Sequence, residues 1–401
     1  MLLPPKGGNG WLMRTGQLIL AQLLSLLPRH EFNKCVARYQ GNRRARNFRC
    51  WEQFAVMAFA QLTFRESLRD IETCLRAMPK KLYHAGIRSV VARSTLAEAN
   101  ESRDWRIWAD FAAVLIAEAR RLHAQEPFGV RLKANVYVFD ATTIDLCLTL
   151  FPWAQFRRHK SAVKMNTLLD LRGNIPCFIS ITPGSVHEVN AVDELPLEAG
   201  SYYVMDRGYV DFLRLYRFNQ ARAFFIVRAK DNMDYRVRES REVDLATGLR
   251  ADQSIRLRGI VTRKRYPELL RRVSFTDPET GVHFVFLTNN FDLAASTICR
   301  LYHCRWQVEL FFKWIKQYLR IKAFFGNSAN AVRTQLWIAI CVYVLVAIIK
   351  KRLDASLSMG ELLQILSLTL FEKTPILQVF REAKMTVEQT DKCNPLPLFE
   401  F

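Results

Sequence analysis

The chain has 401 residues, half of them hydrophobic, which is enough for a large core and two or three structural units and excludes a disordered tail. Lys plus Arg number 58 against 38 Asp plus Glu, and the net charge of +20 favours a polyanionic partner such as DNA or a membrane surface. The longest apolar run, Leu336 to Ile349, spans 14 residues. A membrane-spanning helix needs roughly 20, so this run reads as a buried core helix and no membrane partner is expected.

Residues 1 to about 12, with Pro4-Pro5 and Gly7-Gly8, read as an unstructured leader, and Met13 is an equally good start. Leu18 to Leu27 is interrupted by Gln22 and Ser25 and has no small-residue cleavage site, so no signal peptide is expected. From Gly16 to about Gln125 apolar residues recur at spacings of 3 and 4, most clearly over Leu18 to Leu27, Trp51 to Leu62 and Leu68 to Leu75. A basic run lies between the first two, from Arg38 to Arg49, with Arg43, Arg44 and Arg46 at its centre and Tyr39 and Phe48 interleaved. On a chain of this charge it reads as a set of phosphate contacts. Ser94 is the expected N-cap of a following helix, after a turn at Gly86. Residues 1–128 are therefore expected to form a helical N-terminal DNA-binding domain.

From about Asn135 the apolar period changes to that of strands. Val136 to Leu146, Lys164 to Leu171 and Ile175 to Ile181 read as three consecutive strands, the last two joined by a tight turn at Arg172-Gly-Asn174. A helix near Asp193, a strand from Tyr202 to Asp206, a helix from Asp211 to Gln220 and a strand from Ala223 to Val227 follow. Three hairpin-linked strands and then alternating helices and strands is the order of a ribonuclease-H-like fold. The expected fold class is α/β: a ribonuclease-H-like core over 129–330 with a β-rich insertion at about 230–292. The insertion includes strands at Ser254 to Arg263, Arg271 to Phe275 and His283 to Leu287. A mostly apolar C-terminal helical region, 331–401, is expected to pack on the core. The nine cysteines include no Cys-x2-Cys pair and no zinc spacing, as in a cytoplasmic protein with reduced thiols.

Three carboxylates carry the chemistry. Asp140 follows the apolar run Val136 to Phe139 and Asp206 follows Tyr202 to Met205, so both are expected at strand ends, where α/β sheets bind ligands. Glu309 lies on a segment, Leu301 to Lys316, of helical period. At about 100° per residue, Tyr302, Arg305, Glu309 and Lys316 share an arc about 60° wide, with Lys313 and Arg320 on the same stripe. Leu301, Val308, Phe311, Ile315 and Leu319 form an apolar seam beside it. One acid among cations and a phenol suits a metal-bound phosphate, and three converging carboxylates suit Mg²⁺. The run Arg157-Arg-His-Lys160 is either a solvated loop or a DNA contact, with Lys164 after it favouring DNA, and His187 reads as a local hydrogen-bonder rather than an assistant near the metals. There is no Walker loop, dinucleotide turn or His-Glu-x2-His motif, and Thr142 stands where a haloacid-dehalogenase-type phosphatase has its second Asp.

The order strand-Asp, strand-Asp, helix-Glu and the spacing Y-x2-R-x3-E-x6-K over Tyr302 to Lys316 resemble bacterial DDE-type insertion-sequence transposases of the family named after insertion sequence 4. The stretches Phe139-Asp-Ala-Thr-Thr-Ile144, Leu169-Asp-Leu-Arg-Gly173, Met205-Asp-Arg-Gly-Tyr209 and Phe286-Leu-Thr-Asn-Asn290 extend the resemblance from about Gly16 to Thr374. It implies a transposase that binds terminal inverted repeats and performs metal-dependent cleavage and strand transfer, cut-and-paste. Asp140, Asp206 and Glu309 would be the catalytic metal ligands for two Mg²⁺, with Mn²⁺ able to substitute. Arg305 and Lys316, with Lys313 beside them, would hold end phosphates, and Tyr302 the complementary strand's 5′ phosphate. The implied partners are double-stranded DNA, as transposon ends and target, and a second copy in a synaptic homodimer, working on the nucleoid in the cytoplasm. A hairpin route needs a stacked, flipped base. No tryptophan lies between Trp153 and Trp306, so Tyr235, Tyr266 or Phe275 would have to stack. The alternative is a non-catalytic DNA-binding protein descended from a transposase.

Overall fold

A computed structural model of the chain describes residues 16–43, 45–87, 91–158, 160–318 and 324–382. Two compact units emerge, one of residues 1–122 with 314–401 and one of residues 123–313.

The first unit begins with α1 (Ile19–Ser25), α2 (Arg29–Arg38), α3 (Cys50–Leu62), α4 (Leu68–Arg76), α5 (Pro79–His84), α6 (Arg93–Ser102) and α7 (Arg106–His123). Phe32, Phe54, Trp108 and Phe111, all buried, pack ring on ring at its centre. The N-cap of α6 is Ala92, so Ser94 lies inside the first turn rather than at the cap. Gly86 takes the left-handed backbone conformation (φ 84°) expected of a turn.

The second unit carries one ten-stranded sheet. Its strands are β1 (Val136–Leu146), β2 (Gln155–Arg157), β3 (Lys160–Asp170), β4 (Ile175–Pro183), β5 (Tyr202–Met205), β6 (Phe224–Arg228), β7 (Tyr235–Arg241), β8 (Leu249–Leu257), β9 (Leu270–Thr276) and β10 (His283–Thr288). Its helices are α8 (Phe212–Gln220), α9 (Ile260–Arg265) and α10 (Ala295–His303). The order β4-β3-β1-β5-β6, antiparallel across the first three strands and parallel across the last three, is ribonuclease-H-like. The β3–β4 turn puts Gly173 and Asn174 at positive φ, and a Cβ on Gly173 would stand 2.3 Å from the His123 ring.

The insertion is a continuation of this sheet: β10 pairs antiparallel with β6, and β9, β8 and β7 follow outward. Two local expectations change. The helix near Asp193 is a 3₁₀ turn, Glu188–Glu194. The strand expected to reach Arg263 stops at Leu257, and Ile260 and Val261, 78% and 62% exposed, open α9 because no sheet face is there for them to fill.

The chain returns through α11 (Trp306–Tyr318), within which the division between the units falls, to α12 (Ala329–Arg352) and α13 (Met359–Thr369). The expected 14-residue apolar run is the middle of the 24-residue α12, capped by Ser328, whose Oγ accepts from Ala331 N. Among the described residues α12 is long and apolar enough to cross a membrane, yet its side chains are buried within the protein. The C-terminal helices, expected on the catalytic core, belong to the helical unit, where α12 packs on α3, α6 and α13.

Candidate active site

The parallel pairing of β1 with β5 ends at Phe139 opposite Met205. The next residues, Asp140 and Asp206, thus leave the carboxyl ends of adjacent parallel segments, the position at which such sheets present ligands. Asp140 is not at a strand end, as expected, because β1 runs on to Leu146 paired with β3, Asp140 lying opposite Thr167.

Glu309 reaches the site from α11. The segment expected as one helix is broken at Cys304–Arg305, where Arg305 N bonds Tyr302 O, Gln307 N bonds Cys304 O and Val308 N bonds Arg305 O, the tighter i→i−3 pattern. Leu301, Val308, Phe311 and Ile315 are nevertheless all buried, so the apolar seam continues across the break. Leu319 and Arg320 lie outside the described residues. The tightened turn separates the fates of the stripe residues. Tyr302 is buried, packs on Phe286 at 4.6 Å and donates to Asp206 Oδ1 at 3.1 Å. Arg305 forks: Nη1 bonds Asp140 Oδ2 at 3.2 Å and Nη2 bonds Glu309 Oε1 at 2.6 Å. Tyr209, pushed up in pKa chiefly by burial, donates to Asp140 Oδ1 at 3.4 Å. Lys313 is exposed and Lys316 half-buried farther along α11.

Asp140 titrates high, at about 6, because burial penalises its charge and Asp206 and Glu309 add repulsion, against the Ala141 N–H and Arg305, which favour the ionised form. The native state therefore holds this proton more tightly than the unfolded chain. Stability from this group is lost as pH rises from about 4 to about 6, and the cost is complete above that, on the order of 2 to 3 kcal/mol. Asp140→Asn should raise the melting temperature of the metal-free protein at pH 8, and by less at pH 5. A lower melting temperature at pH 8 would refute this account.

Oxygen donors of this kind suit a hard divalent cation, and their mutual repulsion is what such a cation would relieve. As placed, no three His, Cys, Asp or Glu side chains among the described residues stand close enough together to hold one. Arg305 bridges Asp140 and Glu309 and places a positive charge between them.

A family model described as "Transposase DDE domain" matches residues 131–345, more than half the chain. The chain belongs to the DDE transposases. A domain of unknown function matches residues 15–88. A protein of Sinorhizobium fredii named as a transposase, y4zB, is 30% identical over 305 residues, 75% of this chain and 83% of that one. A protein of Geobacillus stearothermophilus named as a transposase for insertion sequence element IS5377 is 30% identical, over 66% of this chain and 70% of its own. A cryo-EM structure of the piggyBac transposase synaptic complex with hairpin DNA aligns at a TM-score of 0.45 and 10% identity, covering 95% of this chain and 86% of that one. This protein is thus an insertion-sequence DNA transposase, an enzyme whose domain implies dependence on a divalent metal.

The transposase's other expected contacts divide by burial. In the basic run Arg43 and Arg46 are exposed, and Arg43 bonds Gln40 Oε1 at 3.2 Å. Arg44 lies outside the described residues. Arg38 pairs with Asp110, and the interleaved aromatics serve the fold: Tyr39 donates to Asp110 at 3.1 Å and Phe48 is buried. Lys164 is not a DNA contact, since it is buried, donating to Val186 O at 3.0 Å and pairing with Glu188 at 3.3 Å. Arg157 is exposed, and His159 lies outside the described residues. His187 accepts from Val189 N, the local role expected of it. Of the candidate stacking residues, Tyr266 is 1% exposed and closed to a base, and Tyr235 and Phe275 are half-buried. Two features escaped the sequence reading. Trp306, beside Arg305, is 44% exposed, and its helical angle, about 40° from Tyr302, already put it on the polar stripe. Arg263, Lys264 and Arg265 are exposed on α9, hidden in the sequence by the strand-like Ile260-Val261 before them.

Proposed function

We propose that this transposase is a cut-and-paste enzyme of the family named after insertion sequence 4, and that Asp140, Asp206 and Glu309 are its catalytic metal ligands. The observation that carries the reading is that Asp140 and Asp206 follow the last paired residues of adjacent parallel segments, with Glu309 joined to Asp140 through the forked Arg305. Two Mg²⁺ ions, or Mn²⁺ in their place, would supply activation of the attacking oxygen and stabilisation of the leaving oxygen at phosphorus. Asp140, which feels the charges of both other acids, would be the ligand held in common, with Asp206 and Glu309 completing one site each. Tyr302 fixes one oxygen of Asp206 and leaves the other to a metal, so its contact with a 5′ phosphate requires the phenol to leave Asp206. Arg305, Lys313 and Lys316 hold phosphates of the transposon end. Arg43, Arg44 and Arg46 give the N-terminal region, residues 1–128, a separate grip on double-stranded DNA. Ends and target are held by a homodimer on the nucleoid of the cytoplasm. The test is incubation of the purified protein with a duplex carrying the element's terminal repeat. Cutting at the repeat boundary in Mg²⁺ and none in chelator supports the reading, and binding without cutting favours the non-catalytic alternative.

The cations of α9 extend this DNA surface. Arg263, Lys264 and Arg265 are exposed and have no ion-pair partner among the described residues. Ile260 and Val261 stand one turn before them on the same helix faces, as an apolar edge for a groove. Replacing the three cations by Ala should weaken duplex binding and lower the slope of log affinity against log salt by about 0.9 per lost phosphate contact. An unchanged affinity and slope would remove α9 from the interface.

A further inference from the structure

We propose that Arg305 is a specificity-determining residue that keeps metal out of the active site until a transposon end draws its guanidinium away. The inference rests on the assignment of Asp140 and Glu309 as metal ligands. In the structure each of the three carboxylates is engaged by a residue of the Tyr302–Lys316 signature. Arg305 bonds Asp140 at 3.2 Å and Glu309 at 2.6 Å, and Tyr302 bonds Asp206 at 3.1 Å. The Arg305 side chain is only 22% exposed, so its charge is held in the pocket rather than in solvent. It neutralises part of the repulsion among the acids, which is the same service a divalent cation would perform.

A cation entering the site therefore competes with Arg305 for oxygens of both Asp140 and Glu309. A phosphate of the DNA end offers the guanidinium an equally planar, two-oxygen partner. The exchange is balanced: the guanidinium moves from carboxylates to phosphate, and the freed carboxylates take the metal. Metal loading and end binding are then coupled, and coupling of this kind is reciprocal. An enzyme that cuts phosphodiesters gains selectivity from it, because protein without an end in place holds little metal.

The experiment counts bound Mn²⁺ by electron paramagnetic resonance on the full chain, so cleavage need not be measured. Four samples are compared: wild type alone, wild type with a duplex ending at the terminal repeat, wild type with a random duplex of equal length, and Arg305→Ala alone. Asp140→Asn subtracts unrelated sites. Wild type alone should bind Mn²⁺ weakly, and the terminal duplex, but not the random one, should tighten it by about tenfold, within the usual range for coupled sites. Arg305→Ala should show a similar gain without any DNA. Arg305→Lys, whose compact ammonium serves one carboxylate at a time, should fall between. Equal Mn²⁺ affinity of wild type with and without the terminal duplex overturns the proposal and requires no variant to fold. So does a folded Arg305→Ala or Arg305→Gln that binds Mn²⁺ no better than wild type. If no sample has a Mn²⁺ site sensitive to Asp140→Asn, the ligand assignment itself is wrong and the inference goes with it.

Discussion

Asp140→Asn, Asp206→Asn and Glu309→Gln should each lower cutting of a terminal-repeat duplex in Mg²⁺ by about 10²- to 10³-fold or more, the scale of losing one preorganised charge at a reacting centre. Duplex binding should be retained. The three acids are negative groups in a cationic surrounding, so neutralising any of them removes repulsion toward phosphate and leaves Arg305, Lys313 and Lys316 in place. The losses should not be equal. Asp140 lies between the other two, with one oxygen facing Arg305 and the other Tyr209 and the Ala141 N–H, so its loss should be the most severe. Glu309 is 56% exposed and, among the described residues, bonded through Arg305 alone, so a residual rate is most easily kept there. The measurement is single-turnover cleavage with DNA saturated, beside binding of the same duplex. A folded variant that binds and cuts like wild type removes its residue from the site.

Much of the proposed site is legible in the sequence, and the reasons are physical. Asp140 and Asp206 could be found because fully buried parallel strands are short continuous apolar runs, and a carboxylate directly after such a run has no apolar role. Glu309 could be found because a seam of Leu301, Val308, Phe311 and Ile315 leaves a definite polar arc. What could not be read was partnership. Nothing in the spacing says that Arg305 N bonds Tyr302 O and tightens the turn, or that Tyr302 packs on Phe286 and donates to Asp206. Lys164 failed for a related reason: a cation following a basic run was read with it as a DNA contact, while its position on β3 gave it Val186 O and Glu188. Strand order beyond β6 was equally out of reach. Hairpin-forming sequence in β7 to β10 is the same whether the hairpins stand apart or extend the core sheet, and only the pairing of Phe286 to Thr288 with Ile226 to Arg228 decides.

That extension of the sheet sets up a second large effect, at an ion pair separate from the three carboxylates. Arg271 on β9 and Asp252 on β8 are 3% and 7% exposed in their side chains and face each other with bonds of 2.8 and 2.7 Å. Burial by itself would push the Asp252 carboxyl up, but the Arg271 bonds and charge, with help from Arg241, hold it below the ordinary range. Arg271 also donates to Leu293 O at 2.6 Å and Asn290 O at 3.3 Å, fixing the turn that leads into α10 and so toward Tyr302, Arg305 and Glu309. Arg271→Met should therefore cost about 3 to 5 kcal/mol, because it leaves a buried carboxylate with Arg241 alone and two carbonyls without their donor. Cleavage should fall with it, since the entry to α10 is released. Replacing both partners, Arg271→Met with Asp252→Leu, should restore part of the stability, as an apolar pair no longer leaves a charge unpaired. The sign with pH follows. In the wild type the depressed Asp252 pKa contributes stability above the ordinary carboxylate range and loses it as pH falls through the folded value. In Arg271→Met only the Arg241 bond at 3.2 Å still opposes burial, so the Asp252 pKa rises from its wild-type position and the penalty shrinks as the pH falls and the carboxylate takes up a proton. Urea unfolding of the three proteins at pH 8 and pH 5 decides the matter: a double variant no more stable than the single one, or a penalty that grows toward pH 5, would mean that the stranded charge is not what Arg271 prevents.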